Sequence, residues 1–298
     1  MEEAKAVEIL KSYKRVAEEL RQRLSRLPPD IFTAQQIRVV LIQLELAISS
    51  FQKRLDESAR DATMSISDQA LSDTVEEVNS FQDYFQGSVQ PISLNLVLES
   101  AKESELLINQ FQVSIDSYSN TLRNQIWTRL NDMLIARRPA EEIHADLVRK
   151  DGIANFFEGE AWRLRRIVRT EMHGVYSRAK LNGFSTISKE HAPGLLKALY
   201  HPLDHRTAND SQLLIMAAAK AEKQDDPTDP VNVQHPKLGI LEQARVIAKM
   251  EDDFFYTYQE AYDEGKLGKK IQRIYKAPPD RPNDRAILIP YHESWTES

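Results

Sequence analysis

The first half of the chain repeats apolar residues at alternating steps of three and four positions. This spacing places side chains along one stripe of an α-helix. The first stripe consists of Leu10, Tyr13, Ala17, Leu20, Leu24 and Leu27. Pro28 and Pro29 follow it directly. They predict the end of this helix, because proline lacks a backbone N–H and clashes with the preceding turn.

A second helical stripe begins shortly afterwards, with Thr33 and Gln36 at the spacing of a capping box. Its apolar positions are Ile37, Leu41, Leu44, Ile48, Phe51 and Leu55. We expect the two helices to pair as an antiparallel hairpin. Further helical segments are predicted by Leu71, Val75, Val78 and Phe85, and by Leu107, Phe111, Tyr118, Leu122 and Ile126. Residues 87–93, which include Pro91, predict a break between those segments.

A short helix is predicted from Pro139 to about Val148, because proline suits the first helical turn. Glu141 and Glu142 lie where the helix dipole favours negative charge. Asp151-Gly152 closes this helix, and we place a domain boundary at about residue 152. Residues 1–152 then form a helical region for docking or oligomerisation. Its apolar stripes either pack within the chain or dock on another subunit.

Residues 153–298 show a mixed pattern. A helix is predicted from about Gly159 to Asn182, with apolar positions at Trp162, Ile167, Val168, Met172, Val175, Tyr176 and Ala179. Residues 195–200 and 286–291 form apolar runs that predict two paired strands, and 272–275 predicts a short third strand. A helix is predicted from Leu241 to about Glu264, with Leu241, Ala244, Ile247, Ala248, Phe255 and Tyr258 on its apolar side.

The expected fold class is therefore mainly α. A helical N-terminal region precedes a smaller α+β C-terminal domain with a short antiparallel sheet. With 298 residues, of which 41% are hydrophobic, the chain is long enough to bury substantial cores. At about 150 residues per domain, this length predicts two domains.

Charge and cysteine content exclude several classes of function. The 39 basic and 45 acidic residues give a net charge of −6, which argues against a protein that coats DNA along its whole length. A local basic patch remains open. The absence of cysteine excludes disulfides, thiolate zinc sites and cysteine nucleophiles. No apolar run approaches the roughly 18 residues of a membrane span, so we expect no membrane contact.

Three clusters in the second half combine arginine with carboxylates. They are Arg169-Thr170-Glu171, Asp204-His205-Arg206-Thr207 and the proline-rich segment Pro278–Arg285, which contains Arg281, Asp284 and Arg285. If the fold gathers them, they form an ion network, an anion-binding surface or a catalytic site. The residue types alone do not choose among these three.

The order of these motifs resembles the phage Mu F-type minor head protein family. The resemblance covers roughly residues 155–295: Arg-Thr-Glu on a helix that ends in Asn182-Gly183, then Asp-x-Arg-Thr, then Pro-Pro-x-x-Pro-Asn-x-Arg. It implies a virion protein of a tailed phage that acts at the portal vertex in head morphogenesis or in DNA packaging and delivery. It also implies a position inside the capsid near the portal, after assembly in the host cytoplasm, and portal and other head proteins as partners, with several copies per virion.

The structural interpretation of the clusters is a set of ion pairs. Arg169 with Asp204, and Glu171 with Arg206, would connect the helix to the loop, and Arg285 would hold the proline-rich loop to Asp204 or Glu171. The alternative for this loop is a binding role, in which Arg281 and Arg285 are presented to a carboxylate or phosphate.

Two functional interpretations stand beside this one. Arg163, Arg165 and Arg166 are candidate contacts to packaged DNA, with Trp162 stacking a base; otherwise they form a solvated helix flank. His205 with Glu171 and Arg169 is a candidate acid–base site. The sequence contains no nucleophile elbow, phosphate loop or His-Glu-x-x-His helix, so we expect no enzymatic activity.

The histidines are scattered and the acidic loop at 224–230 lacks the spacing of a calcium loop, so we expect no metal and no cofactor. Two functions remain open beside the minor head protein. One is an ejected effector whose C-terminal domain is an enzyme acting on nucleic acid. The other is a soluble helical adaptor unrelated to phage.

Overall fold

The computed structural model describes residues 2–26, 37–85, 92, 104–136, 139–148, 153–202, 204, 206–235, 239–262, 266–282 and 284–295. The chain divides into two compact units. The helical unit comprises Met1–Met64 and Glu105–Met172, and the mixed unit comprises Ser65–Ser104 and His173–Ser298. The two units are defined by which residues contact one another, not by position along the chain. The domain boundary predicted at residue 152 stays a prediction.

The chain is mainly α with an α+β C-terminal part, which confirms the predicted fold class. The described helices are α1 (Glu2–Ser25), α2 (Ile37–Phe85), α3 (Ser104–Ile135), α4 (Ala140–Val148), α5 (Ile153–Glu190) and α6 (Asn209–Ala221), followed by a 3₁₀ turn at Glu293–Trp295. The strands are β1 (Leu196–Tyr200), β2 (Val231–His235), β3 (Gly239–Arg245), β4 (Ile247–Ala248), β5 (Phe254–Tyr262), β6 (Lys266–Tyr275) and β7 (Ile287–Tyr291).

The core of the helical unit follows the predicted three- and four-residue spacing. On the described part of α3 the buried apolar positions are Ile108, Phe111, Ile115, Tyr118, Leu122 and Ile126. Ala47 and Ile48 on α2, and Leu164 and Val168 on α5, are also buried. Trp162 was expected among the apolar positions of α5, but it is 60% exposed. The buried residue in this turn is Leu164, which lies four positions before Val168 and therefore shares its face.

The predicted hairpin involves α1 and α2, and a side-chain contact joins these helices. Arg54 Nη1 donates to Glu19 Oε1 at 3.2 Å. The separate helix expected around Leu71 is the continuation of α2, which runs unbroken to Phe85. The predicted proline stop at 28–29, the capping box at 33 and 36, most of the break at 87–93 and the turn at 151–152 lie outside the described residues.

Two antiparallel sheets form in the mixed unit, with strand orders β4-β1-β7 and β2-β3-β5-β6. The predicted pairing of the two apolar runs is confirmed: β1 pairs with β7, with Leu196 opposite Tyr291 and Tyr200 opposite Ile287. The short strand predicted at 272–275 is the end of β6, which pairs with β5 along most of its length.

The helix predicted for residues 241–264 is wrong, because this segment forms β3, β4 and β5. Phe254, Tyr256 and Tyr258 are buried while the two residues between them are half-buried. Such alternation is the pattern of a strand, and aromatic residues favour strands. The apolar positions at 241, 244, 247 and 248 also fit a helical period, so spacing alone did not distinguish the two.

The helix α5 does not end at Asn182-Gly183 as expected but continues to Glu190. Gly183 is buried inside the helix. A Cβ at this position would lie 3.0 Å from Thr74 Cγ2 and 3.3 Å from Leu71 Cδ2 of α2. The glycine therefore serves the close approach of two helices rather than helix termination.

The mixed unit has two hydrophobic clusters, one on each side of β1. One joins α2, the end of α5, β1, β7 and the C-terminal 3₁₀ turn; its members include Leu71, Val78, Phe184, Ile187, Leu199, Leu288 and Trp295. The other packs α6 against both sheets through Leu213, Leu214, Ala217, Ala198, Leu241, Ile247 and Tyr256. Leu199 of β1 belongs to the first cluster, and Leu196 and Ala198 belong to the second. The loop after β1 lines a pocket together with the start of α6.

Candidate functional site: an arginine–aspartate network

The loop after β1 is held to the proline-rich loop by Arg285. Its Nη1 donates to Asp204 Oδ2 at 2.7 Å and its Nη2 donates to Asp204 Oδ1 at 2.6 Å. The backbone N–H of Arg206 donates to Asp204 Oδ1 at 2.8 Å. Hydrogen bonds from Arg285 and from this backbone N–H hold the pKa of the Asp204 carboxyl well below its usual value. The predicted attachment of the proline-rich loop to Asp204 through Arg285 is thus present.

The Asp-x-Arg-Thr segment forms a closed turn around Thr207. The hydroxyl of Thr207 accepts the N–H of Asp204 at 3.0 Å and donates to the carbonyl of Pro202. The Thr207 N–H in turn donates to the Asp204 carbonyl at 3.0 Å. The aspartate and the threonine of the motif therefore hold the turn together through their own hydrogen bonds. The Arg206 side chain is 67% exposed.

A second arginine of the proline-rich loop, Arg281, contacts the start of α6. It forms a two-point ion pair with Asp210, with Nη2 donating to Oδ1 at 2.9 Å, and it also donates to Ser211 Oγ at 3.0 Å. The Asp210 side chain is only 8% exposed. Burial opposes ionisation of Asp210, but the hydrogen bond and charge of Arg281 hold the pKa of this carboxyl below its usual value.

Tyr256 connects Asp210 to the other aspartates. Its hydroxyl lies 2.9 Å from Asp210 Oδ2 and 3.1 Å from Asp280 Oδ2. Burial and the neighbouring Asp284 carboxylate raise the pKa of Asp280 to about 6. Asp284 accepts the backbone N–H groups of Asp280 and Ala286, at 3.1 and 3.0 Å. This carboxylate therefore fixes the loop that carries both arginines.

A small pocket of about 60 Å³ lies between the two loops and the start of α6. Its polar lining consists of His201, Arg206, Thr207, Ser211, Arg281, Asp284 and Arg285. His201 is 7% exposed, and its Nε2 has no hydrogen-bond partner among the described residues. Burial lowers the pKa of His201 below its usual value, so this imidazole is neutral at neutral pH.

Five of the predicted site residues thus meet in the mixed unit: Asp204, Arg206, Arg281, Asp284 and Arg285. Arg169 and Glu171 belong to the helical unit, where Glu171 Oε1 accepts a hydrogen bond from Ser114 Oγ at 2.7 Å. The predicted pairings of Arg169 with Asp204 and of Glu171 with Arg206 would connect the two units. They stay predictions.

The candidate DNA contacts Arg163, Arg165 and Arg166 lie on α5 in the helical unit. The guanidinium of Arg166 lies over the ring of Trp162, 5.1 Å from its centroid. The tryptophan proposed to stack a base therefore already has a cationic neighbour on the protein. Whether these residues contact DNA stays a prediction.

Sequence reasoning missed four members of the site: His201, Asp210, Ser211 and Tyr256. A usable signal was present for two of them, because Asp210 and Ser211 precede the apolar positions 213, 214 and 217 of α6 at a typical helix start. Tyr256 was assigned to a helix, which hid its strand register. His201 carries no local pattern, and its burial depends on the tertiary fold.

The acid–base interpretation relied on His205, which lies outside the described residues. Within the described ranges, no three His, Asp or Glu side chains gather in an arrangement that would hold a metal ion. Among the described helices, none combines the length and apolarity that crossing a membrane requires.

Comparison of the chain with protein-family profiles, with curated protein sequences and with solved structures gives no match.

Proposed function

We propose that this chain is a minor head protein of a tailed phage, associated with the portal vertex and acting in head morphogenesis or DNA packaging and delivery. One observation supports the proposal above the others. Two of the three motifs whose order resembles the Mu F-type family meet in one ion network, through Asp204 with Arg285 and through Arg281 with the start of α6. Contacts between residues 71 and 81 positions apart thus hold the two motifs and the start of α6 together.

The contacts of this network favour a noncatalytic role. Arg281 and Arg285 each use both terminal nitrogens in two-point pairs with a carboxylate. Asp284 accepts two backbone N–H groups. Side chains committed in this way hold loops in place, whereas a catalytic group needs a free acceptor or donor directed at a substrate. We therefore infer that the network stabilises the C-terminal part of a structural virion protein.

The helical unit offers an apolar face for docking to the portal. Ile42 and Leu46 are one turn apart on α2, and each is 52% exposed. Neither belongs to the stripe that contains the buried Ile48. An amphipathic helix with an open apolar face fits recognition in a groove of a partner protein. The portal, and other head proteins around it, are the partners we propose, with several copies of the chain per virion.

The test is a binding experiment between the purified full-length chain and its cognate portal ring, with complex mass and stoichiometry as the readout. We expect a stable complex with several copies per ring. The double variant Ile42→Glu/Leu46→Glu should lose binding, because both changes introduce charge on the docking face. Met64→Glu is the matched control, since Met64 is on the same helix and is equally exposed at 52%.

Absence of a complex at every salt concentration would contradict the portal role. Nuclease assays then separate the remaining candidates. An activity that is lost in Glu171→Gln would favour the ejected effector, since glutamine retains an oxygen that can accept the hydrogen bond from Ser114 and should leave the fold intact. Absence of both binding and activity would favour the helical adaptor.

A further inference from the structure

The pocket in the mixed unit is built at the N-terminal end of α6. Ala208 is the N-cap of this 13-residue helix, has no side chain that caps it, and lines the pocket together with Ser211. The first N–H groups of a helix lack intrahelical acceptors and carry partial positive charge. This end of the helix therefore favours an anionic group, and the Asp210 carboxylate already meets part of that preference, because its Oδ1 accepts the Ser211 N–H at 3.0 Å.

Side-chain donors complete the lining. Arg206, Arg281 and Arg285 reach the pocket from two separate loops, and Thr207 and Ser211 add hydroxyls. Arg281 and Arg285 are held in position by their aspartates, so the pocket is preorganised. Arg206 differs, because its contact with Asp204 is a single one at 3.3 Å and its side chain is 67% exposed. Of the three arginines, Arg206 would break the fewest contacts if its side chain turned towards a ligand.

The negative charges around the pocket already have partners. Asp204 accepts hydrogen bonds from Arg285 and from the backbone of Arg206. Asp210 is paired with Arg281. Asp284 lines the pocket, but each of its oxygens accepts a backbone N–H. The arginines balance the charges of Asp204 and Asp210, which reduces their repulsion of an incoming anion. Asp284 keeps its negative charge, which its two backbone N–H donors disperse but do not cancel.

His201 is the observation that points to a ligand. It lines the pocket, is 7% exposed, and its Nε2 has no hydrogen-bond partner among the described residues. A buried polar atom without a partner costs free energy, and native proteins satisfy such atoms with protein, water or ligand. A ligand oxygen in the pocket would supply the missing partner.

From this geometry we propose that the pocket binds one phosphate-type oxyanion. The space of about 60 Å³ is several times the roughly 10–15 Å³ that one water needs, which suits a single tetrahedral group and is too small for a whole nucleotide. Arg206 and the N-terminal end of α6 provide the charge, and Ser211 and His201 provide hydrogen bonds. This site does not depend on the proposed phage role, so either can fail without the other.

The oxyanion has two sources, free inorganic phosphate or a phosphodiester of nucleic acid. The first experiment titrates inorganic phosphate into the full-length chain, with calorimetry for affinity and NMR of the histidine rings for location. We expect saturable binding with one site and a selective shift of the His201 ring signals. Arg206→Ala should weaken binding by roughly tenfold, the effect of losing one charge-assisted contact.

Two further variants make the result specific. Arg178→Ala removes an exposed arginine of the mixed unit outside the pocket, and we expect unchanged affinity. His201→Phe keeps an aromatic ring but removes the polar atom, and we expect weaker binding with the fold retained by circular dichroism. The proposal is overturned if phosphate does not saturate at millimolar concentration, if the His201 signals do not move, or if Arg206→Ala and Arg178→Ala bind equally.

A competition experiment shows whether the bound oxyanion comes from free phosphate or from nucleic acid. A duplex oligonucleotide added to the phosphate-loaded chain should displace phosphate if the pocket takes a phosphodiester. If phosphate stays bound while the oligonucleotide is in excess, the site is one for the free anion.

Discussion

Arg281 and Arg285 lie four positions apart in one loop, yet their partners differ in burial. The Asp210 side chain is 8% exposed, whereas the Asp204 side chain is 32% exposed. Removing an arginine therefore leaves a buried charge in one case and a hydrated charge in the other. We expect Arg281→Met to lower the free energy of unfolding by about 3 kcal/mol and Arg285→Met by about 1 kcal/mol or less.

Urea unfolding of the two variants beside the wild type measures this difference. Comparable losses would mean that Asp210 becomes hydrated in the variant, which would contradict its role as a buried partner.

Lys197 gives a prediction about pH. Its side chain is 0% exposed, its Nζ donates to the Lys276 carbonyl at 2.9 Å, and it lies 4.8 Å from the centroid of the Phe254 ring. Burial lowers the pKa of Lys197 to about 8. Between about pH 8 and the unfolded value of about 10.4 the unfolded chain binds more protons, so the contribution of Lys197 to stability rises with pH.

We therefore expect the free energy of unfolding of the wild type, relative to Lys197→Met, to increase by about 3 kcal/mol across that range. Denaturant titrations of both proteins at a series of pH values measure it, and the variant cancels the contributions of all other groups. A relative stability that is flat with pH would show that the ammonium group is hydrated.

At the level of residues, the sequence identified many of the charged residues of the site but fewer of their ion-pair partners. Asp204 was one of the two partners predicted for Arg285, the other being Glu171, and the Asp204 contact is present. Asp210 was missed as the partner of Arg281. The reason is physical: a partner 71 positions away is chosen by the tertiary packing that brings α6 to the proline-rich loop, which no local pattern specifies.

At the level of elements, the two glycines of α5 in the mixed unit differ in their surroundings. A Cβ on Gly174 would meet Pro279 Cδ at 3.4 Å, an ordinary contact, whereas on Gly183 it would lie 3.0 Å from Thr74 Cγ2. We expect Gly174→Ala to stabilise the protein by about 0.5–1 kcal/mol through helix propensity. Gly183→Leu should destabilise it by about 1–3 kcal/mol through overpacking.

Thermal unfolding, with the two variants scanned beside the wild type, tests this contrast. A neutral Gly183→Leu would show that α2 can move away from α5 without loss. The same glycine explains the misplaced helix end: Asn-Gly is a common terminator, but here the missing side chain is needed for packing between helices.

The strands β3 and β5 show that the spacing of apolar residues alone does not always distinguish a helix from a strand. Apolar residues of the 241–258 segment fit both a helical and an alternating template, and the aromatic alternation at 254, 256 and 258 was the deciding signal. The presence of the long helices was predicted because their stripes extend over many turns, but their ends were not: α2 is one helix and α5 continues to Glu190. The strands of this segment are short, with seven residues in β3, two in β4 and nine in β5, so the spacing of apolar residues fits both templates.

At the level of the whole molecule, the mixed unit is not continuous in sequence. Leu71 and Val78 of α2 are buried in the same cluster as Phe184 and Trp295. We expect a fragment of residues 153–298 to lose its cooperative unfolding transition and to bind the dye ANS, because it lacks the part of this core that comes from α2. A chain that joins residues 65–104 to 173–298 through a long Gly/Ser linker is the matched control and should fold.

Near-UV circular dichroism and ANS fluorescence of both fragments measure the outcome. A well-folded 153–298 fragment would contradict the contribution of α2 to this core. It would also support the boundary predicted at residue 152.

The stacking of Phe81 on Trp295, with ring centroids 5.2 Å apart, also has a consequence for biosynthesis. The segment around Phe81 leaves the ribosome more than 200 residues before its aromatic partner. At about 5–20 residues per second, translation takes roughly 10–40 seconds to cover that interval. During this time Val78 and Phe81 have no partner from the C-terminal end, whereas α1 and α2 can already meet. The helical unit is therefore positioned to form first, and the turn at Glu293–Trp295 completes the other core later.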